Sequence, residues 1–215
     1  MVKSTSIARI QDGLPLAATV DDEQAESALL TQKQQAKQLF RKLANTTEQA
    51  ASVESGPYFL HYMIEDGICY LCIADKSYPR KLAFNYLSQV AKEFATSYGQ
   101  EAQKQGLRPY AFVQFENYLQ KTTREYLSAR NSNNLDKLNE DLNDVTRIMT
   151  RNIDDLLNRG ESLDKMSTLS STLRDESVKY RKAARNVNLK AMLREYGLYA
   201  GLVLFLLLIV YWRLF

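Results

Sequence analysis

Few side chains in this chain have the type and spacing to do chemistry. Cys69-Tyr70-Leu71-Cys72 has the two-residue gap of redox pairs and zinc ligands. On a β-strand, however, residues three apart point to opposite faces, so the two thiols cannot meet. No second cysteine pair and no nearby histidine completes a metal set, since Cys is counted twice and His once in the whole chain. His61 stands alone and reads as a sheet residue rather than a base or ligand. No glycine-rich phosphate cradle and no nucleophile elbow is present, so catalysis, cofactors and metals are not expected. The informative residue is of another kind. Arg159 interrupts an apolar ladder.

The rungs of that ladder are Leu135, Leu138, Leu142, Val145, Met149, Asn152, Leu156, Arg159, Leu163, Met166, Ser170, Leu173, Ser177, Tyr180, Ala184 and Val187, each three or four residues after the last. A period of 3.5 predicts a long amphipathic helix, roughly 80 Å at about 1.5 Å per residue, whose seam calls for partner helices. A polar residue in such a seam costs stability and is tolerated where it fixes register and partner choice. A guanidinium carries five donors and keeps its proton, so within a bundle Arg159 needs several acceptors, for which glutamine carbonyls suit. In an ordinary coiled coil it would instead bend its head out to solvent.

Charge and hydropathy divide the chain around the ladder. The formal charge is only +3 over 215 residues, and the mean hydropathy of −0.37 excludes an all-membrane protein. Residues 131–173 carry five Lys/Arg against eight Asp/Glu, whereas 174–195 carry seven against three. Arg181, Lys182, Arg185, Lys190 and Arg194 therefore form a basic flank suited to anionic lipid headgroups. Tyr196 to Trp212 holds no charged residue, has aromatic residues near both ends and is followed by Arg213. It predicts a short transmembrane helix within 196–215, inserted after translation, with the N-terminal part cytosolic. A thinner bilayer such as that of the endoplasmic reticulum matches its length.

The first 130 residues read as an α+β domain. Asp12-Gly13 and Glu65-Asp66-Gly67 are hairpin turns, the first between Thr5–Ile10 and Leu14–Val20, the second between Tyr58–Ile64 and Ile68–Ala74. Helical spacing runs from Ala25 to Leu43, again after Pro79 through Leu82, Ala83, Tyr86, Leu87, Val90, Ala91 and Phe94, and over Phe115 to Leu127. Leu107 to Gln114 reads as extended. The expectation is an antiparallel sheet with helices packed on it. Residues 131–134, Asn-Ser-Asn-Asn, read as a hinge before a motif at 135–190.

Three stretches carry a family resemblance: Asp12-Gly13-Leu14-Pro15-Leu16, Ser77-Tyr78-Pro79-Arg80-Lys81-Leu82-Ala83-Phe84 and Arg108-Pro109-Tyr110-Ala111-Phe112. They resemble the profilin-like longin domain of the endoplasmic reticulum to Golgi vesicle SNAREs, in the synaptobrevin family. Asn152 through Met166, with Arg159 at its centre, resembles the SNARE motif of the same proteins. The resemblance implies an R-SNARE whose central arginine meets one glutamine from each of three Q-SNARE helices in a parallel bundle and drives vesicle fusion. A membrane-contact tether that pairs without fusing is the alternative. It also implies vesicle coat subunits and SNARE regulators as partners, and no nucleic acid. In related proteins an Asn-Ile-Glu stretch folds back on the longin domain. Asn152, Ile153 and Asp154 stand at that place, Asp shortening the carboxylate.

Overall fold

The computed structural model describes residues 1–20, 27–44, 46–131 and 148–157. Six strands form one sheet in the order β2-β1-β5-β4-β3-β6. The strands are β1 (Val2–Arg9), β2 (Leu14–Ala18), β3 (Ala50–Ser55), β4 (Tyr58–Glu65), β5 (Ile68–Asp75) and β6 (Met149–Asn152). The helices are α1 (Leu30–Leu43), α2 (Arg80–Ala102), α3 (Glu116–Asn131) and the short α4 (Ile153–Leu157), with a 3-10 turn at Val113–Phe115. The domain is α+β, as expected, but the sheet is mixed rather than purely antiparallel. Four pairings run antiparallel, whereas β6 lies parallel to β3.

Turn chemistry places the hairpins. Glu65 pairs with Ile68 across a two-residue loop, Asp66 and Gly67, whose φ values of 49° and 74° match the twist of the flanking strands. Gly13 supplies a φ of 65° between β1 and β2. The buried Arg9 ties that hairpin to the end of α2, donating to the Ala102 and Lys104 carbonyls at 3.1 and 2.6 Å while pairing with Asp12.

The central strand β5 is buried on both faces, and its alternation separates two cores. Ile68, Tyr70, Cys72 and Ala74 join the cluster under α2 and α3, with Tyr86, Phe94 and Phe115. Cys69, Leu71 and Ile73 join the cluster under α1, with Leu39, Phe40 and Leu43. The two cysteines thus face opposite sides and are free, and burial pushes both thiols well above their ordinary range. His61 is a buried residue of β4 whose Nδ1 lies 2.8 Å from Ser52 Oγ. Burial, with Arg80 as a smaller cause, lowers its pKa to about 4.

Elements differ from the sequence reading at four places. β3 (Ala50–Ser55) is a strand where the sequence reading has no element. Pro79 caps α2 from outside, with an extended ψ of 125°, rather than forming its first turn. Leu107 to Gln114 is a series of turns, of which Tyr110 and Phe112 donate to Pro15 and Leu16 of β2 at 2.7 and 3.1 Å. Met149 to Asn152, part of the ladder read as helix, is a strand. Without partner helices to cover its seam, this stretch satisfies its backbone on the sheet edge instead.

Candidate functional site

The outer edge of β3 would expose a row of unpaired amides and carbonyls, and residues 148–157 cover it. The register pairs Ala51 with Met149, Ser52 with Thr150, Val53 with Arg151 and Glu54 with Asn152. At the end of β6 the side-chain oxygen of Asn152 accepts from the Asp154 amide at 3.0 Å, which starts α4. Ile153 then turns into the α1-side core, where only 4% of its surface is exposed. Leu156 and Leu157 pack against the same cluster.

Cations and one carboxylate hold the segment's backbone and rim. Lys42 of α1 donates to the Leu157 carbonyl. Arg80, at the start of α2, donates to the Ile148 carbonyl at 3.2 Å and to Thr150 Oγ1 at 2.5 Å. Arg151 forms an ion pair with Glu48, its Nε 3.1 Å from Oε2. The largest single contribution is Ile153, since a fully buried aliphatic side chain is worth about 1.5–3 kcal/mol and an exposed ion pair about 0.2–1 kcal/mol. Ordering ten residues opposes both.

The same residues cannot dock and join a helical bundle at once. On β6, Met149 and Arg151 share one face and Thr150 and Asn152 the other. On a helix, Met149, Asn152 and Leu156 share one face instead. The docked form leaves the rungs Met149 and Asn152 exposed and buries Ile153, which is not a rung.

Sequence comparison supplies the family. The family model described as a regulated-SNARE-like longin domain matches residues 16–119, and the synaptobrevin model matches 134–213. "Protein transport protein sec22" of Schizosaccharomyces pombe is 58% identical over the full length of both chains. The chain belongs to the Sec22 family of longin R-SNAREs. "Protein transport protein SEC22" of Yarrowia lipolytica is 54% identical, again over both full lengths. "Vesicle-trafficking protein SEC22b-B" of Danio rerio is 42% identical over 99% of this chain and 98% of that protein. Sec22-family proteins are trafficking proteins, not an enzyme family.

For this Sec22-family chain the structure brings together only part of the residues singled out in the sequence. Met149, Asn152, Ile153, Asp154 and Leu156 meet at the β3 edge. Arg159, the rungs Leu135, Leu138, Leu142 and Val145, those from Leu163 to Val187, the basic flank and the span within 196–215 lie outside the described residues. Among the described residues no helix is long and apolar enough to cross a membrane. Lys42, Glu48, Arg80 and Arg151 were not read as functional. Their partners lie 68 to 115 residues away in sequence, so no local pattern reveals them.

Proposed function

We propose that this R-SNARE pairs with three Q-SNARE helices in a parallel four-helix bundle, Arg159 taking the central layer among glutamines. It acts in fusion of vesicles between the endoplasmic reticulum and the Golgi, anchored through 196–215. Segment 148–157 docked on β3 is its closed state, which withholds the SNARE motif from assembly and offers a composite surface to vesicle coat subunits and SNARE regulators. The observation that carries this reading is Met149–Asn152 held as a strand, where a bundle requires helix. Opening exchanges one buried isoleucine and a short ladder for the many apolar rungs of a bundle, so partner helices can drive it.

The test is to mix the chain with candidate Q-SNARE helices and follow helix gain. Ile153→Asp, which cannot bury its charge, should assemble at least tenfold faster, and Arg159→Leu should alter register or partner choice. Equal rates for wild type and Ile153→Asp would refute the closed state as a restraint. Assembly on opposing liposomes without lipid mixing would favour the tether.

A further inference from the structure

Thr150 is an exposed threonine on the outermost strand of the sheet, and neither the bundle nor the burial of Ile153 calls for its hydroxyl. Its Oγ1 accepts from Arg80 Nη2 at 2.5 Å, while Nη1 of the same guanidinium holds the Ile148 carbonyl at 3.2 Å. Among the described residues no carboxylate forms an ion pair with Arg80. A full cation therefore faces two neutral oxygens of the docked segment. Arg80 also opens a 23-residue helix with no acidic residue in its first turn, so the helix dipole adds to the same sign. Glu54, two residues along β3 from the partner of Thr150, is already paired with Lys76.

We propose that Thr150 is a phosphate acceptor, and that its phosphorylated side chain locks segment 148–157 onto β3 through Arg80. The proposal rests on the closed-state reading for its consequence. The chemistry is phosphoryl transfer by a protein kinase using a nucleoside triphosphate. Thr150 Oγ attacks the γ-phosphorus, the new O–P bond forms as the bond to the nucleoside diphosphate breaks, and the hydroxyl proton passes to the kinase. The acceptor is presented when the segment is released. In sequence it follows Arg147 by three residues and precedes Arg151, a basic context that suits a kinase with acidic subsites. The product carries about −1.5 to −2 charges and three strong acceptor oxygens, which the Arg80 fork can hold in pairs. Unpairing β6 to form a helix removes that contact, so the phosphate favours the docked state.

The experiment treats the full chain, in mild detergent, with the catalytic subunit of cyclic-AMP-dependent protein kinase and ATP. Mass spectrometry locates the phosphate, and hydrogen exchange follows the amides of 51–54 and 149–153. Phosphate is expected on Thr150 and not in Thr150→Val. Exchange should slow by about tenfold in the phosphorylated wild type, with no slowing in Arg80→Gln carrying the same phosphate. Absence of phosphate at Thr150, unchanged or faster exchange, or equal slowing in Arg80→Gln would overturn the proposal. Slower exchange with an unchanged rate of assembly with Q-SNARE helices would uphold the lock and instead overturn the closed state as a restraint.

Discussion

The sheet has two edges, and the chain covers them by different means. Beyond β2 lies the turn that carries Tyr110 and Phe112, whose amides bond to Pro15 and Leu16. Tyr110 accepts a φ of 58° there, a rare conformation for a residue with a side chain. The buried ring of Phe112 pays that strain back through contacts with Phe94 and Tyr98, at centroid distances of 5.5 and 4.7 Å. Beyond β3 lies a four-residue ladder, one buried isoleucine and a set of charged contacts at the rim. One edge is closed by aromatic core and the other by a segment whose own pattern suits a helix. An edge must be covered to avoid pairing with other chains, but it need not be covered permanently.

The largest expected effect separates the two edges directly. Phe112→Ala should cost about 3–5 kcal/mol and lower the main calorimetric transition by roughly 10 °C, because the aromatic cluster is common to the edge and the core. Ile153→Ala should release 148–157, seen as lost hydrogen-exchange protection over 51–54, while the main transition moves by no more than a few degrees. Equal shifts in both variants would mean that the β3 cover is as much a part of the fold as the β2 cover.

That difference also explains what could be read from the sequence. Asp12-Gly13 and Asp66-Gly67 announced their hairpins because their turns require positive φ, and the face of α2 followed from its spacing. The strand β3 went unread because Ala50, Ala51, Ser52 and Glu54 are weak strand formers, and pairing on both sides supplies what their propensity does not. The periodicity hid β6, since Met149 and Asn152 continue a 3.5 period and the residue that decides docking, Ile153, lies off the rungs; only the family resemblance pointed to Asn152, Ile153 and Asp154 as a fold-back. The cysteines, by contrast, were placed correctly by strand alternation alone.

A second prediction asks whether acid attacks the two edges alike. His61 supports β3 from within through Ser52, and burial holds it neutral with a pKa of about 4, Arg80 adding a smaller repulsion. In the unfolded chain it titrates near 6.5, so between about 6.5 and 4 the unfolded state binds the extra proton. Stability is therefore fully present above this window and falls as pH drops through it, by about 2 kcal/mol between pH 7 and pH 5. His61→Gln should flatten the profile measured by urea unfolding. Hydrogen exchange in acid should rise at β3 before β2; a uniform rise would show that the sheet responds as one unit.

The smallest effect concerns how an edge is tuned rather than made. Glu48 and Arg151 are about a third exposed, so their ion pair should contribute only about 0.2–1 kcal/mol and weaken with salt. In a double-mutant cycle with Glu48→Ala and Arg151→Ala, opening of 148–157 should rise a few-fold in each single variant, with little further change in the double. The charge-swapped pair, Glu48→Arg with Arg151→Glu, should restore protection. The contrast is Arg9 with Asp12 beside β2. There the arginine is buried and also satisfies two carbonyls of the α2 terminus, so its removal leaves polar groups stranded and no swap can repair it. An edge meant to open can depend on interchangeable charges at its rim, because their loss changes an equilibrium without unpairing anything inside the core.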